Sequence, residues 1–131
     1  MTAYAPNSHA SYRTSTILTA SPEQLVIMLY DGCHRFLLQA ITAMREENAS
    51  ATRERFARAT AIIDELQCTL DMSGGVVAER LAGIYVFCQR HLAEGLSEQN
   101  PAKLEQVDEL LRDLRDGWAR AATASTVVAA T

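Results

Sequence analysis

No apolar run in this chain exceeds the six residues from Leu25 to Tyr30, far short of the ~20 needed for a membrane-spanning helix. Basic charge is thin: 12 Lys and Arg stand against 16 Asp and Glu, for a formal net charge of −4, and no Lys/Arg cluster occurs. Nucleic-acid binding depends on neutralising phosphates, so that balance argues against it. The three cysteines, Cys33, Cys68 and Cys88, are odd in number, far apart and without C-x-x-C spacing. Neither a zinc site nor a disulfide framework is expected, and reduced thiols of the cytoplasm fit best. The opening MTAYAPNSHA has no basic start and no apolar stretch, so no signal peptide is read. No segment alternates with period two or carries a hairpin signal, which leaves helices as the only regular structure.

What is present is globular composition, 48% hydrophobic and 21% charged over 131 residues, enough for one domain with its own core. Residues 1–20 are mostly small and polar but carry Tyr4, Tyr12, Ile17 and Leu18, and read as a mobile arm that docks weakly. Ser21, Pro22 and Gln24 form an N-cap, a first-turn proline and a capping box, so a first helix starts there and runs to about Met44 or Arg45. A second helix is expected from about Ala51 to Leu70, then a turn at Ser73-Gly74-Gly75. A third runs from about Val76 to Leu96, and a fourth, capped by Asn100-Pro101, to about Ala122. Residues 123–131 are a short, frayed, low-complexity tail. The expected fold is all-α, an antiparallel four-helix bundle over residues 21–122.

Helical wheels, at about 100° per residue, separate the four helices. In the fourth, Leu104, Val107, Leu110, Leu111, Leu114 and Trp118 share one arc and charges cover the rest. The second behaves likewise, with Phe56, Ala59, Ile62, Ile63, Leu66 and Leu70 on one side. The first is wider, its apolar arc spanning about 160°. Leu25, Val26 and Leu29 are assigned to the core, whereas Ile27, Met28 and Tyr30 carry apolar surface beyond what a core needs. The third has a core stripe of Val77, Leu81, Ile84, Tyr85, Cys88 and Leu92, with Val76, Val86 and Phe87 outside it. Excess apolar surface on two helices marks a partner groove, suited to an amphipathic helix laid into it. Asp31 is placed at its rim.

Catalytic chemistry is missing. A di-iron bundle needs Glu-x-x-His repeats, and none surrounds His9, His34 or His91. Cys88 and His91 share a helix face, but no third residue orients them as a dyad. His34 lies mid-helix, where phosphate-relaying bundles present a histidine, yet the basic residues near it in sequence, Arg35 and Arg45, diverge from it. No catalytic residue, metal ligand or cofactor is assigned.

The stretch ASPEQLVIMLYDG at 20–32 resembles the hallmark of the flagellin export chaperones, the FliS family. Further matches follow in order: ATAIIDELQCTL at 59–70, Gly74-Gly75 leading into Leu81 and Tyr85, and Leu104 to Trp118. Tyr12 falls where the family has a tyrosine in its arm. Departures are Cys33 and His34, where the family has small or aliphatic residues, and Gly95-Leu96-Ser97 in place of a more helix-friendly stretch. The resemblance implies a non-enzymatic cytoplasmic chaperone that binds the disordered C-terminal region of flagellin. It would prevent early polymerisation and assist delivery to the flagellar export apparatus, whose gate components are a further partner. Client contacts are expected at Tyr12, Ile17, Leu18, Ile27, Met28, Tyr30, Val86 and Phe87. Two rival readings are a phosphotransfer module using His34 and a homodimer seam on the apolar surface. The free protein is expected to be a monomer or weak homodimer, without nucleic acid or membrane insertion.

Overall fold

The computed structural model describes residues 20–130, with side chains through Thr123. It holds four helices and, among the described residues, no strand: α1 (Pro22–Arg45), α2 (Ala49–Cys68), α3 (Val76–Glu98) and α4 (Pro101–Ala130), with a 3-10 turn at Met72–Gly74 before α3. The capping box forms as expected, Gln24 N–H donating to Ser21 Oγ at 3.2 Å and Ser21 N–H to Gln24 Oε1 at 2.9 Å. α2 begins earlier than its apolar pattern suggested because Asn48 is its cap, accepting from Ala51 N–H at 3.1 Å. Asp71 organises the 3-10 turn by accepting from the Ser73 amide and hydroxyl, which holds its carboxyl below the usual range. Gly75, at φ 78°, makes the turn into α3 in a conformation that favours glycine.

α3 passes Leu96 and ends at Glu98, where Gln99 turns left-handed at φ 52°. Gly95 does not weaken that end, because a Cβ there would lie 2.7 Å from Leu104 Cδ1 and 2.9 Å from Lys103 Cβ. The bare backbone lets α4 approach. α4 continues past Ala122 to Ala130, through an alanine-rich stretch with no glycine or proline to stop it.

α1 packs against α2 and α4, while α3 packs against α4 and only thinly against α2. Neighbouring helices are antiparallel, and α1 and α3 are parallel across the bundle diagonal. Tyr30 and Tyr85 meet there, hydroxyl to hydroxyl, at 2.5 Å. The same offset relates Cys33 to Cys88 and Leu37 to Leu92, all fully buried, and Ile63, Leu66, Leu104 and Val107 close the core from α2 and α4. Two side chains assigned to the core stand outside it. Val77 is 68% exposed and Leu25 36%, and both lie in the first turns of their helices. Ala78 takes the core position at the start of α3.

Candidate functional site

The apolar surface outside the core falls on the two diagonal helices, and therefore on opposite sides of the bundle. On α3 and its entry turn, Met72, Val76, Val77, Val86 and Phe87 are exposed; on α1, Leu25, Met28 and Leu38 are. Val86 and Phe87, adjacent in sequence, lean to different neighbours. Gln89, one turn from Val86, donates to the Thr60 carbonyl at 3.2 Å and to Asp64 Oδ1 at 2.8 Å, so that flank faces α2. Phe87 stacks on His91 with ring centroids 5.2 Å apart, and His91 Nε2 lies 2.7 Å from Gln106 Oε1, so this flank faces α4.

Met28 precedes Asp31, which reaches α4, and Gly32, which packs against Ile62 of α2, so its own side chain points outward between them. Ile27 is half-buried and shares the Asp31 flank. Tyr30 was expected on this surface and is instead 2% exposed. Its position faces the bundle diagonal, where the bond to Tyr85 satisfies a hydroxyl that no apolar neighbour could. Burial, reinforced by that bond, pushes the Tyr30 phenol well above its ordinary range, and burial raises Tyr85 as well. Tyr12, Ile17 and Leu18 lie outside the described residues.

The face between α1 and α4 is polar. Arg115 donates to both oxygens of Asp31, at 2.9 and 3.5 Å, and those contacts raise its pKa. Asp31 is therefore engaged within the chain. Arg45 pairs with Glu105 further along. Between them the buried Asp108 carboxylate meets His34 Nδ1 at 2.7 Å and Arg112 Nε at 3.4 Å. Sequence reasoning missed this cluster because Asp108 reads as one more charge on an acidic helix face; its position at the arc's edge, opposite a histidine, was the available signal.

A cavity of about 450 Å³ opens beside His34, lined by Tyr30, Asp31, Glu109, Arg112, Asp113, Arg115 and Asp116. Both arginines are already matched to carboxylates, and the remaining acids leave the lining negative, an environment that repels a phosphoryl group. The phosphotransfer reading of His34 gains no support. The Cys88–His91 pairing does not form, since Cys88 is fully buried and His91 turns to Phe87 and Gln106. Burial pushes the Cys88 thiol up to about 11 and the Cys33 thiol to about 12, which keeps both unreactive. Among the described residues no group of three His, Cys, Asp or Glu could hold a metal ion, and no helix is long and apolar enough to cross a membrane.

Residues 5–125 match the family model described as flagellar protein FliS. The chain is 29% identical over 115 residues to the flagellar secretion chaperone FliS of Bacillus subtilis (strain 168), covering 88% of this chain and 86% of that protein. It is 31% identical to the protein of that name from Vibrio cholerae, over 79% of this chain and 77% of that one. With its counterpart from Campylobacter jejuni identity reaches 35%, over 75% of this chain and 77% of the relative.

Proposed function

The chain belongs to the flagellar protein FliS family, and on that premise we propose that it is a cytoplasmic export chaperone for flagellin. It binds the disordered C-terminal segment of the client, blocks premature polymerisation and hands the client to the export apparatus, where gate components are a second partner. The observation that carries this reading is the pair of exposed apolar surfaces on α1 and α3, which the core does not use. Large apolar side chains left in water weaken no fold they do not touch, but they supply the area a coupled folding-and-binding partner needs. The chemistry required is binding alone, and the reading calls on no cofactor.

Within this reading Met28 and Ile27 on α1, and Val86 and Phe87 on α3, contact the client, with Tyr12, Ile17 and Leu18 of the N-terminal arm beside them. Tyr30 contributes from the core, holding α1 against α3. Since the two surfaces lie on opposite sides, a client touching both passes around the bundle and presents more than one apolar stretch.

Isothermal titration of the full chain with a C-terminal flagellin peptide tests the assignment. One-to-one binding with micromolar affinity or better is expected, weakened about tenfold or more by Phe87→Ala, as for a truncated aromatic anchor. No heat with that peptide, under conditions where circular dichroism shows the chaperone folded, overturns it.

A further inference from the structure

α3 is two half-helices of very different security, divided at Tyr85. The second half is tied to both neighbours. Gln89 bonds α2, His91 bonds Gln106 of α4, Gly95 brings the backbone onto Leu104, and Lys103 pairs with Glu98. Cys88 and Leu92 are fully buried.

The first half has none of this. Among the described residues, no side chain from Val76 to Ile84 forms a hydrogen bond or an ion pair, Glu79 and Arg80 included. The helix start lacks a side-chain cap, since Gly75 holds the N-cap position. First-turn amides without a cap fray readily. Val76 and Val77 are exposed, Leu81 and Ile84 are half-buried, and only Ala78 reaches the core before Tyr85. Gly83 stands mid-helix where an added Cβ would meet nothing within 4 Å, so its cost in helix propensity returns no close approach. The segment thus has little apolar burial, no side-chain ties and a glycine in its middle, the properties of a unit that opens locally. Tyr85, fully buried and bonded to Tyr30, is where that weakness stops.

We propose that residues 76–84 open and close as one flap, hinged at the Gly74-Gly75 turn and latched at the Tyr30–Tyr85 hydroxyl pair, and that the client orders this flap. The second clause rests on the chaperone reading above. A client helix laid against Val76, Val77 and Phe87 supplies the apolar neighbours that α2 and α4 do not, so the flap closes as the client binds. The chaperone then gains structure together with its client, and the exposed valines are the surface over which that happens.

Hydrogen exchange on the full chain, read by mass spectrometry, decides it. In the free protein the amides of Arg80 to Ile84 should exchange at least about tenfold faster than those of Gln89 to Leu96. Gly83→Ala, which fills open space, should slow the first group about two- to fivefold, the factor expected from helix propensity. It should leave the second group unchanged. Tyr85→Phe should carry fast exchange past the latch toward Gln89. Equal protection along the whole of α3, or a Gly83→Ala effect spread evenly over it, overturns the flap. Addition of the flagellin peptide should slow exchange at Arg80 to Ile84 more than elsewhere in α3. Binding with full heat but no such slowing overturns the coupling and leaves the chaperone assignment standing. Absence of binding heat overturns both of those, while the exchange of the free protein still decides the flap.

Discussion

The diagonal helices α1 and α3 carry matched core positions at one constant offset, Tyr30 with Tyr85, Cys33 with Cys88 and Leu37 with Leu92. Their flanks differ. α1 is bound to α4 by the Asp31, His34 and Arg45 pairs and to α2 by a broad apolar seam. α3 is bound to α4 chiefly beyond Tyr85 and only lightly to α2. Exposed apolar side chains therefore mean different things on the two helices. On α1, Met28 and Leu38 decorate an element that is held regardless of them. On α3, Val76 and Val77 sit on the half without side-chain ties, so a partner covering them changes the stability of the helix itself.

The comparison breaks most completely at high pH, where the shared diagonal core titrates. Cys33 and Cys88 have folded values of about 12 and about 11 against an ordinary 9.0, and Tyr30 and Tyr85 are raised above their ordinary 10.0. The native state then holds protons that the unfolded chain has released, so stability is complete below about pH 9 and falls as pH rises. Each such group adds up to about 1.4 kcal/mol of loss per pH unit. Urea denaturation followed by circular dichroism between pH 8 and 12 should show this decline; replacing both buried thiols, Cys33→Ala with Cys88→Ala, should move its onset to about pH 10.

Truncating one leucine in each half of α3 sharpens the contrast at neutral pH. Leu92→Ala should cost about 3 kcal/mol, within the range for a fully buried leucine, whereas half-buried Leu81→Ala should cost about 1 kcal/mol. Equal losses in a denaturant series would mean that α3 is held evenly. A loss between those two is expected where α3 meets α4. Gly95→Ala places a methyl group 2.7 Å from Leu104 Cδ1 and should destabilise by about 2 kcal/mol, although alanine is the better helix former. A stabilising outcome in thermal unfolding would show that the close approach there has room to give.

Much of the fold was legible. Ser21-Pro22-Gln24 and Asn100-Pro101 announce helix starts because capping is local chemistry between residues a few positions apart. The apolar arcs of α2 and α4 identify their buried faces because each follows one stripe. The site was legible in part. Val86 and Phe87 stand off the α3 core stripe by spacing alone, and they are exposed. Tyr30 misled, because a wheel places it at the arc's edge without showing a second tyrosine across the diagonal. Val77 and Leu25 misled for a related reason: both sit on the apolar arc but in first turns, and a wheel does not show how deeply a helix end is covered.

By itself, the sequence determined the helices, their order, the buried stripe of most of them and the surplus of apolar surface on α1 and α3, all consequences of local propensity and a 3.6-residue period. Tertiary structure alone decided that Tyr30 belongs to the core, that His34 leans on a buried Asp108, and that the surplus divides between two opposite faces. Those outcomes depend on which helices become neighbours and how closely each pair approaches, and a helical period carries no record of distance between helices.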